Sequence, residues 1–430
     1  MKFIFFIFLF FSDSFLLAAA KKTAPSKGNL SQEDKDELES LIKEVKGGPL
    51  PSEKSIKTDE GTVETPLQLI AHFEFPFGMK FKKIRLGGLS ACGYNGKHFY
   101  ALSDDRGKYG EPRIYKFDLN LNAKNFSLTP KEIIYLKNGT NVKLPPVIDA
   151  EGMVLWPGGS GGAPEFLVSL EGDNDRKPRM APELLWLDAK GVLKKRFDLP
   201  EEMRPEATGA QHKGTQNNKS LEGLAYDSKN KTLWLALEAP LIQDLDEENI
   251  FNPTRVMKLS DFNLSSSQLG EADTYFYLRA KDTQNPNGAE VFKGVTDILP
   301  LHVQGEDKIL MLERGVRISV SEGWLHSIKL FSVDFSQASK FTEKQIRKMS
   351  HKEKHEASLP HKKLLIDLEN KNDWGLGAIE NFEGLCEGPL HQGQPSFFMI
   401  SDDNFSSRSR TQVLWLTFKA PLEKPIEVVK

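Results

Sequence analysis

The sequence predicts an all-β fold, a β-propeller of about five four-stranded blades with room for a sixth. Three observations predict it. A hairpin pattern recurs along the chain, short strand candidates fill the stretches between its copies, and one strand candidate near the start stands without a partner. A small sheet that cannot bury both faces alone, repeated along a chain, is the logic of radial closure.

The repeat is plainest in "SLEGLAYDSKNKTLWLALEAP" (220–240). An acid and a glycine open an apolar run, a polar turn follows, and a second apolar run ends on an acid. Its relatives are "GGLSACGYNGKHFYALSDDRG" (87–107), "DAEGMVLWPGGSGGAPEFLVSLEGD" (149–173), "GVTDILPLHVQGEDKILMLERG" (294–315) and "NFEGLCEGPLHQGQPSFFMISDDN" (381–404). The residues that mark the first strands are Ser90, Glu151, Glu222, Asp297 and Glu383, spaced by 61, 71, 75 and 86 residues. The second strands end on Asp104 and Asp105, Glu171, Glu238, Glu313, and Asp402 and Asp403.

Two further strand candidates follow each of the first four hairpins, among them "RIYKFDL" and "KEIIYLK", "ELLWLDA" and "KKRFDLP", "RVMKLS" and "TYFYLRA". Alternation, β-branched and aromatic content, and intervening turn residues favour strands over helices. The fifth hairpin is followed only by "TQVLWLTF", while "LQLIAHFEF" (67–75) precedes the first. Placing that early strand on the last blade closes the ring and hides a sheet edge. The units exceed the usual repeat of about 40–50 residues. The excess falls in loops at 240–254 and 281–290 and in a Lys- and His-rich helical insertion at 338–362.

Bulk composition narrows the function. The 430 residues carry 57 Lys and Arg against 60 Asp and Glu, a net charge of −3. That balance gives no electrostatic case for nucleic acid, which calls for a concentrated basic face. Lys2 followed by "FIFFIFLFF" and "LLAAA" predicts a secretory signal peptide over residues 1–20, cut near Ala20. A retained N-terminal anchor is the alternative. Residues 21–64 are a polar tether with one short helix capped by Ser31. Residues 65–430 are then the propeller domain of a secreted or periplasmic monomer with no integral membrane domain. Only Cys92 and Cys386 exist, one on the innermost strand of the first unit and one on that of the last. Neighbouring inner strands are expected to splay, and a disulfide needs Cα atoms within about 7 Å. Two buried free thiols are therefore expected.

Equivalent positions on successive innermost strands converge at one end of a propeller's channel. Glu151, Glu222, Asp297 and Glu383 are expected to meet there, with Asp104, Glu171, Glu238, Glu313 and Asp402 close by. Carboxylates gathered so closely repel one another unless a cation or arginines neutralise them. Oxygen ligands without a His/Cys pattern suit Ca²⁺, or Mg²⁺, rather than zinc. Alternatively, each acid accepts hydrogen bonds from a neighbouring blade's backbone, with glycine permitting the close approach. Arg106, Arg176, Arg179 and Arg314 follow the second-strand acids, as do Arg317, Arg408 and Arg410. They suit a clamp for a phosphate group and equally suit structural salt bridges.

The motifs "SDDRG" (103–107), "DAEGM" (149–153), "SLEGDNDRKPR" (169–179), "NKSLEGLAYDSKNKTLWLALEAPL" (218–241), "MLERG" (311–315), "NFEGL" (381–385) and "SDDNF" (401–405) resemble those of the phytase-like domain family, described by an esterase-like activity of phytase. They run in family order and span residues 67–420. The resemblance implies an exported propeller that hydrolyses a phosphoester. Ser90 departs from the pattern, so five equal ligands are not expected. The "GGSGG" around Ser160 matches a nucleophile elbow, but it lies within one hairpin rather than between a parallel strand and a helix, so it reads as a turn. His212, His351, His355 and His361 sit in polar or charged stretches and offer no triad. No catalytic residue is identified. The expected function is hydrolysis of a small phosphorylated molecule with Ca²⁺ or Mg²⁺ at the acids. The rival is a non-catalytic propeller that binds a ligand or partner protein on the same face.

Overall fold

A computed structural model describes residues 66–419, apart from 158–161, 246–251, 281–288, 304–305, 320–322, 369–375, 377–378 and 408. The signal peptide, the whole of the tether and Ser160 lie outside the described residues. Strand β1 (Leu67–Glu74) comes first, then a small hairpin, β2 (Lys80–Phe81) and β3 (Ile84–Arg85). Blade one is β4 (Leu89–Tyr94), β5 (His98–Ser103), β6 (Arg113–Asn120) and β7 (Ser127–Tyr135). Blade two is β8 (Ala150–Trp156), β9 (Glu165–Leu170), β10 (Glu183–Leu187) and β11 (Leu193–Asp198). Blade three is β12 (Leu221–Asp227), β13 (Thr232–Leu237), β14 (Thr254–Leu259) and β15 (Asp273–Tyr277). Blade four is β16 (Ala289–Val303), β17 (Glu306–Ser319), β18 (Gly323–Asp334) and β19 (His361–Asp367). Blade five is β20 (Asn381–Glu387), β21 (Ser396–Asp402), β22 (Gln412–Phe418) and, on its outer edge, β1.

Each sheet is antiparallel, and the innermost strands β4, β8, β12, β16 and β20 touch one another in succession around the ring. The fold is a five-bladed β-propeller. Its cores lie between blades: one contains Leu312, Leu330, Phe382 and Leu416 from blades four and five, another Phe99, Phe117, Phe398 and Trp415 from blades one and five. The closure expected of the early strand holds, since Leu67 pairs with Phe418 and Glu74 with Gln412. The insertion carries two short helices, α1 (Glu343–Ile346) and α2 (His351–His355), each opened by a capping box. It is fastened to blade three by ion pairs from Arg255 to Glu343 and from Lys354 to the buried Asp244, the latter at 2.7 Å.

The expectation of free thiols is overturned. Cys92 and Cys386 form a disulfide with Cα atoms 5.6 Å apart. The inner strands of blades five and one do not splay where they start, because Gly384 lies against the Ser90 carbonyl; a Cβ there would sit 2.6 Å from that oxygen. Glycine thus permits the approach that the bridge needs.

Candidate functional site

The mouth of the channel is built by one register device used five times. In every blade the first two strands lose register at the start of the innermost strand, between Leu89 and Ala91, Ala150 and Met153, Leu221 and Gly223, Val295 and Asp297, and Phe382 and Gly384. Bulges re-aim side chains. The residues skipped at these points are Ser90, Glu151 together with Gly152, Glu222, Thr296 and Glu383. One rung outward, the second strands present Asp104, Glu171, Glu238, Arg314 and Asp402, opposite Gly88, Asp149, Ser220, Gly294 and Asn381.

Blade four therefore stands one residue out of frame from the expected markers. Asp297 occupies the place that glycine fills in blades two, three and five. Its buried carboxylate accepts from Ile298 N at 2.8 Å and from Leu385 N of blade five at 2.6 Å. Burial pushes its pKa up to about 8 against the pull of these backbone donors. Glu313 likewise faces between blades: it accepts from Tyr277 Oη at 2.7 Å, Ala280 N at 2.7 Å and Lys362 Nζ at 2.9 Å. These cationic and hydrogen-bonding partners outweigh its burial and hold its pKa below the usual range. The structure brings neither acid into the mouth.

The other expected acids do converge, in two groups. Carboxylate oxygens of Asp104, Asp149 and Glu151 lie within 4.8 Å of one another, as do those of Glu171, Glu222 and Glu238. Glu383 and Asp402 complete the set electrostatically, the first raising Glu222 and both feeling Asp104. Desolvation followed by mutual repulsion raises Glu151, Glu171, Glu222 and Asp402 well above the carboxylate range, Asp149 to about 8 and Glu383 to about 7.

Two arginines answer these eight carboxylates among the described residues. Arg314 reaches from blade four to Glu238 at 2.6 Å, Glu222 at 3.9 Å, Asn381 at 3.1 Å and the Glu383 carboxylate. Arg106, at a left-handed backbone position (φ 48°), pairs with Asp149 and Asn218 and lies 4.0 Å from Glu171. The remaining clamp candidates are elsewhere. Arg179 holds the Glu206 and Gly209 carbonyls, both at 2.7 Å, and Arg176 is exposed at the rim. Arg410 caps local carbonyls, Arg408 lies outside the described residues, and of the Arg317 side chain nothing is described.

Asp149, Asn381 and Thr296 are mouth residues that the sequence reading passed over. Their signal was present: "GLSA", "DAEG", "SLEG", "GVTD" and "NFEG" align without a gap, and the third place of each is the skipped residue. The preference for an acid over the frame displaced the fourth marker. His326 had no such signal; it pairs with Val316 across blade four, and burial plus Arg314 lower its pKa to about 4.

Several buried polar atoms around Arg314 find no hydrogen-bond partner among the described residues: Glu238 Oε2, Ser220 Oγ, Thr296 Oγ1 and His326 Nδ1. Unpaired buried groups of this kind are costly and mark places that water, an ion or a ligand completes. The Glu171, Glu222 and Glu238 group, with an orphaned carboxylate oxygen, fits a hard divalent cation. Among the described residues no helix is long and apolar enough to cross a membrane. A search of curated proteins finds no match. Comparison with protein families matches residues 84–405 to Phytase-like, described as esterase-like activity of phytase, and a match over that share of the chain means that the protein belongs to this family.

Proposed function

We propose that the protein is an exported hydrolase of small phosphoesters that works at the channel mouth with a divalent cation, Ca²⁺ before Mg²⁺. The observation that carries this reading is the excess of buried carboxylates over arginines, with Glu238 Oε2 left without a donor. Glu171, Glu222 and Glu238 would hold the ion, and Asp104, Asp149 and Glu151 are a second set of the same chemistry. When bound, such an ion neutralises phosphoryl oxygens and makes water a stronger nucleophile. The chain's own contribution is positional. Arg314 fixes Glu222, Glu238 and Glu383 in one constellation, and Arg106 does the same for Asp149 beside Glu171. Export follows from the signal-like residues 1–20 and predicts a mature N-terminus at Lys21.

The test is a screen of phosphomonoesters, phosphodiesters and carboxylic esters on purified protein, with chelator and after return of Ca²⁺ or Mg²⁺. Activity on a phosphoester is expected to vanish with chelator and return with the ion. Glu238→Gln should stay folded, lose that activity and lose the ion's thermal stabilisation, which follows RT ln(1 + [L]/Kd). Silence across the panel together with no ion-dependent shift in melting would end the reading.

A further inference from the structure

We infer that the hairpin of β2 and β3, with the loop that carries Tyr109, is a docking surface for an anionic lipid membrane, set at the rim of the channel mouth. The hairpin is a two-stranded ribbon apart from the five blade sheets, so the propeller closes without it. Its sequence is "FPFGMKFKKIR" (75–85), and from Phe75 to Ser103 the chain has no acid.

Alternation gives the ribbon two faces. Met79, Phe81 and Ile84 pack onto the core between blades five and one, while Lys80, Lys82 and Lys83 are exposed. Phe81 pairs with Ile84, so Lys82 and Lys83 are the central residues of the turn, with φ of 50° and 70°. Such turns favour Asn and Gly, because a longer side chain is strained in the left-handed region. Strain kept at both places of a turn that the blades do not need marks a function for these side chains.

Two aromatic rings stand beside the lysines. Phe77 is 48% exposed and Tyr109 is 39% exposed. Both are held from behind: the Arg85 guanidinium lies 5.2 Å from the Phe77 ring and 5.8 Å from the Tyr109 ring, and Tyr109 stacks on Phe405 at 4.3 Å. Lys108 is exposed next to Tyr109. Of the carboxylates nearby, Glu74 pairs with Arg410 at 3.7 Å and Asp403 with Arg85 at 3.8 Å, while Glu111 is exposed in the following loop. Among the described residues no carboxylate pairs with Lys80, Lys82, Lys83 or Lys108. Pro66 and Lys419, where the described chain begins and ends, lie at the far end of β1. That end is about 23 Å from Glu74 at roughly 3.3 Å per residue.

Lysines without acid partners around exposed, rigid rings are what an anionic lipid surface takes up: the rings enter the headgroup layer and the lysines meet its charge. The rings favour lipid over a nucleic acid duplex, whose bases are already stacked. Residues 86–88 lead from the hairpin straight into β4. There Gly88 O accepts from Asp104 N at 2.7 Å, and Gly88 N donates to Asp403 Oδ1 at 2.9 Å. Docking through the hairpin therefore sets the mouth beside the headgroups. It does not rest on the hydrolase reading.

The test is co-sedimentation of the full chain with phosphatidylcholine vesicles and with vesicles that also contain phosphatidylglycerol. Residues 1–20 are common to every protein compared, so differences among them report the hairpin. Wild type should bind the anionic vesicles more tightly, and added salt should weaken that binding. One basic residue at such a surface is worth about fivefold in affinity. Lys80→Gln, Lys82→Gln and Lys83→Gln together should therefore weaken binding by about tenfold or more. Lys97→Gln, at the exposed turn on the opposite end of blade one, should leave it unchanged. Phe77→Ala should weaken the binding that persists at high salt. Circular dichroism checks each fold, and if the triple variant fails to fold, Lys82→Gln with Lys83→Gln is compared. Equal binding to the two kinds of vesicle, or lysine variants as tight as wild type, overturns the docking surface. So does retention by a DNA duplex when neither vesicle binds, which would make the hairpin a general polyanion site.

Discussion

Blades three and four offer the channel the same three positions and opposite chemistry. Blade three presents Ser220, Glu222 and Glu238; blade four presents Gly294, Thr296 and Arg314. The backbone device is shared, since both strands bulge at the second of these residues. What differs is charge, and the difference is useful. Burial raises both Glu222 and Glu238, the neighbouring Glu238 raises Glu222 further, and Arg314 opposes the rise in both. His326, on the arginine's own blade, is pushed down. One inverted blade converts a ring of repelling carboxylates into an asymmetric site with an acidic side and a basic side.

The sharpest way to break this comparison is to make blade four neutral. Arg314→Leu removes one of two guanidiniums that answer eight carboxylates, and stranding buried partners in this way costs about 3–5 kcal/mol. Glu238→Gln removes one of the eight and keeps an acceptor for Arg314, so its cost at neutral pH should stay below about 1 kcal/mol. Urea unfolding at pH 7.5 measures both. Part of the Arg314→Leu loss should return with Ca²⁺ or at lower pH, where the acids are neutralised by other means. An Arg314→Leu protein as stable as the wild type would refute a charge-balanced mouth.

The same pair of blades shows what could be read from the sequence. Turn spacing, alternation and one unpartnered early strand contain the propeller, its five blades and its closure, because strand period and edge protection are local or nearly local properties. The register of blade four was less legible. "GVTD" offers an acid one place beyond the skipped residue, and only pairing shows that Thr296, not Asp297, meets the channel. Likewise "LER" in the second strand offers Glu313 first, yet Arg314 is the residue opposite Gly294. A one-residue slip exchanges the two faces of a strand, so composition at a motif cannot substitute for register. The disulfide was missed for a related reason. Splaying holds for the outer parts of blades, whereas the glycine frame brings the inner strands together at their starts.

That frame supplies a second comparison, between two joints of the ring. Blades four and five are joined by the Asp297 carboxylate on Leu385 N, while blades five and one are joined covalently through Cys92 and Cys386. The disulfide spans 294 residues of sequence, and loop closure of that kind typically contributes about 2–4 kcal/mol. The pairing of β1 with β22 already ties the first blade to the last, which argues against a larger value. Reduction, or Cys92→Ser with Cys386→Ser, should lower the urea midpoint accordingly without loss of the strand signal in circular dichroism. Equal midpoints with and without reductant would show that β1 alone secures the ring.

The smallest expected effect tests the basic side of the mouth through His326. Its ring is half-buried, Nδ1 lacks a protein partner among the described residues, and desolvation together with Arg314 lowers its pKa from 6.5 to about 4. A base whose folded pKa is depressed binds protons better when unfolded. Its contribution is therefore intact above pH 6.5 and is lost as the pH falls toward 4. At pH 5.5 the loss should be about 1 kcal/mol. The acids of the mouth act in the opposite sense, since groups raised to about 7 and 8, such as Glu383 and Asp149, lose their contribution as the pH rises through those values. A single stability profile mixes the two, so the informative quantity is the difference between wild type and His326→Gln, measured from pH 7.5 to 5. Wild type should lose ground to the variant as the pH falls, and the slope should flatten when Arg314→Lys shifts the charge away from the ring. Because burial is the larger cause of the shift, a slope that Arg314→Lys leaves unchanged would mean that the arginine's field does not reach His326, and the two-sided mouth would reduce to an acidic one.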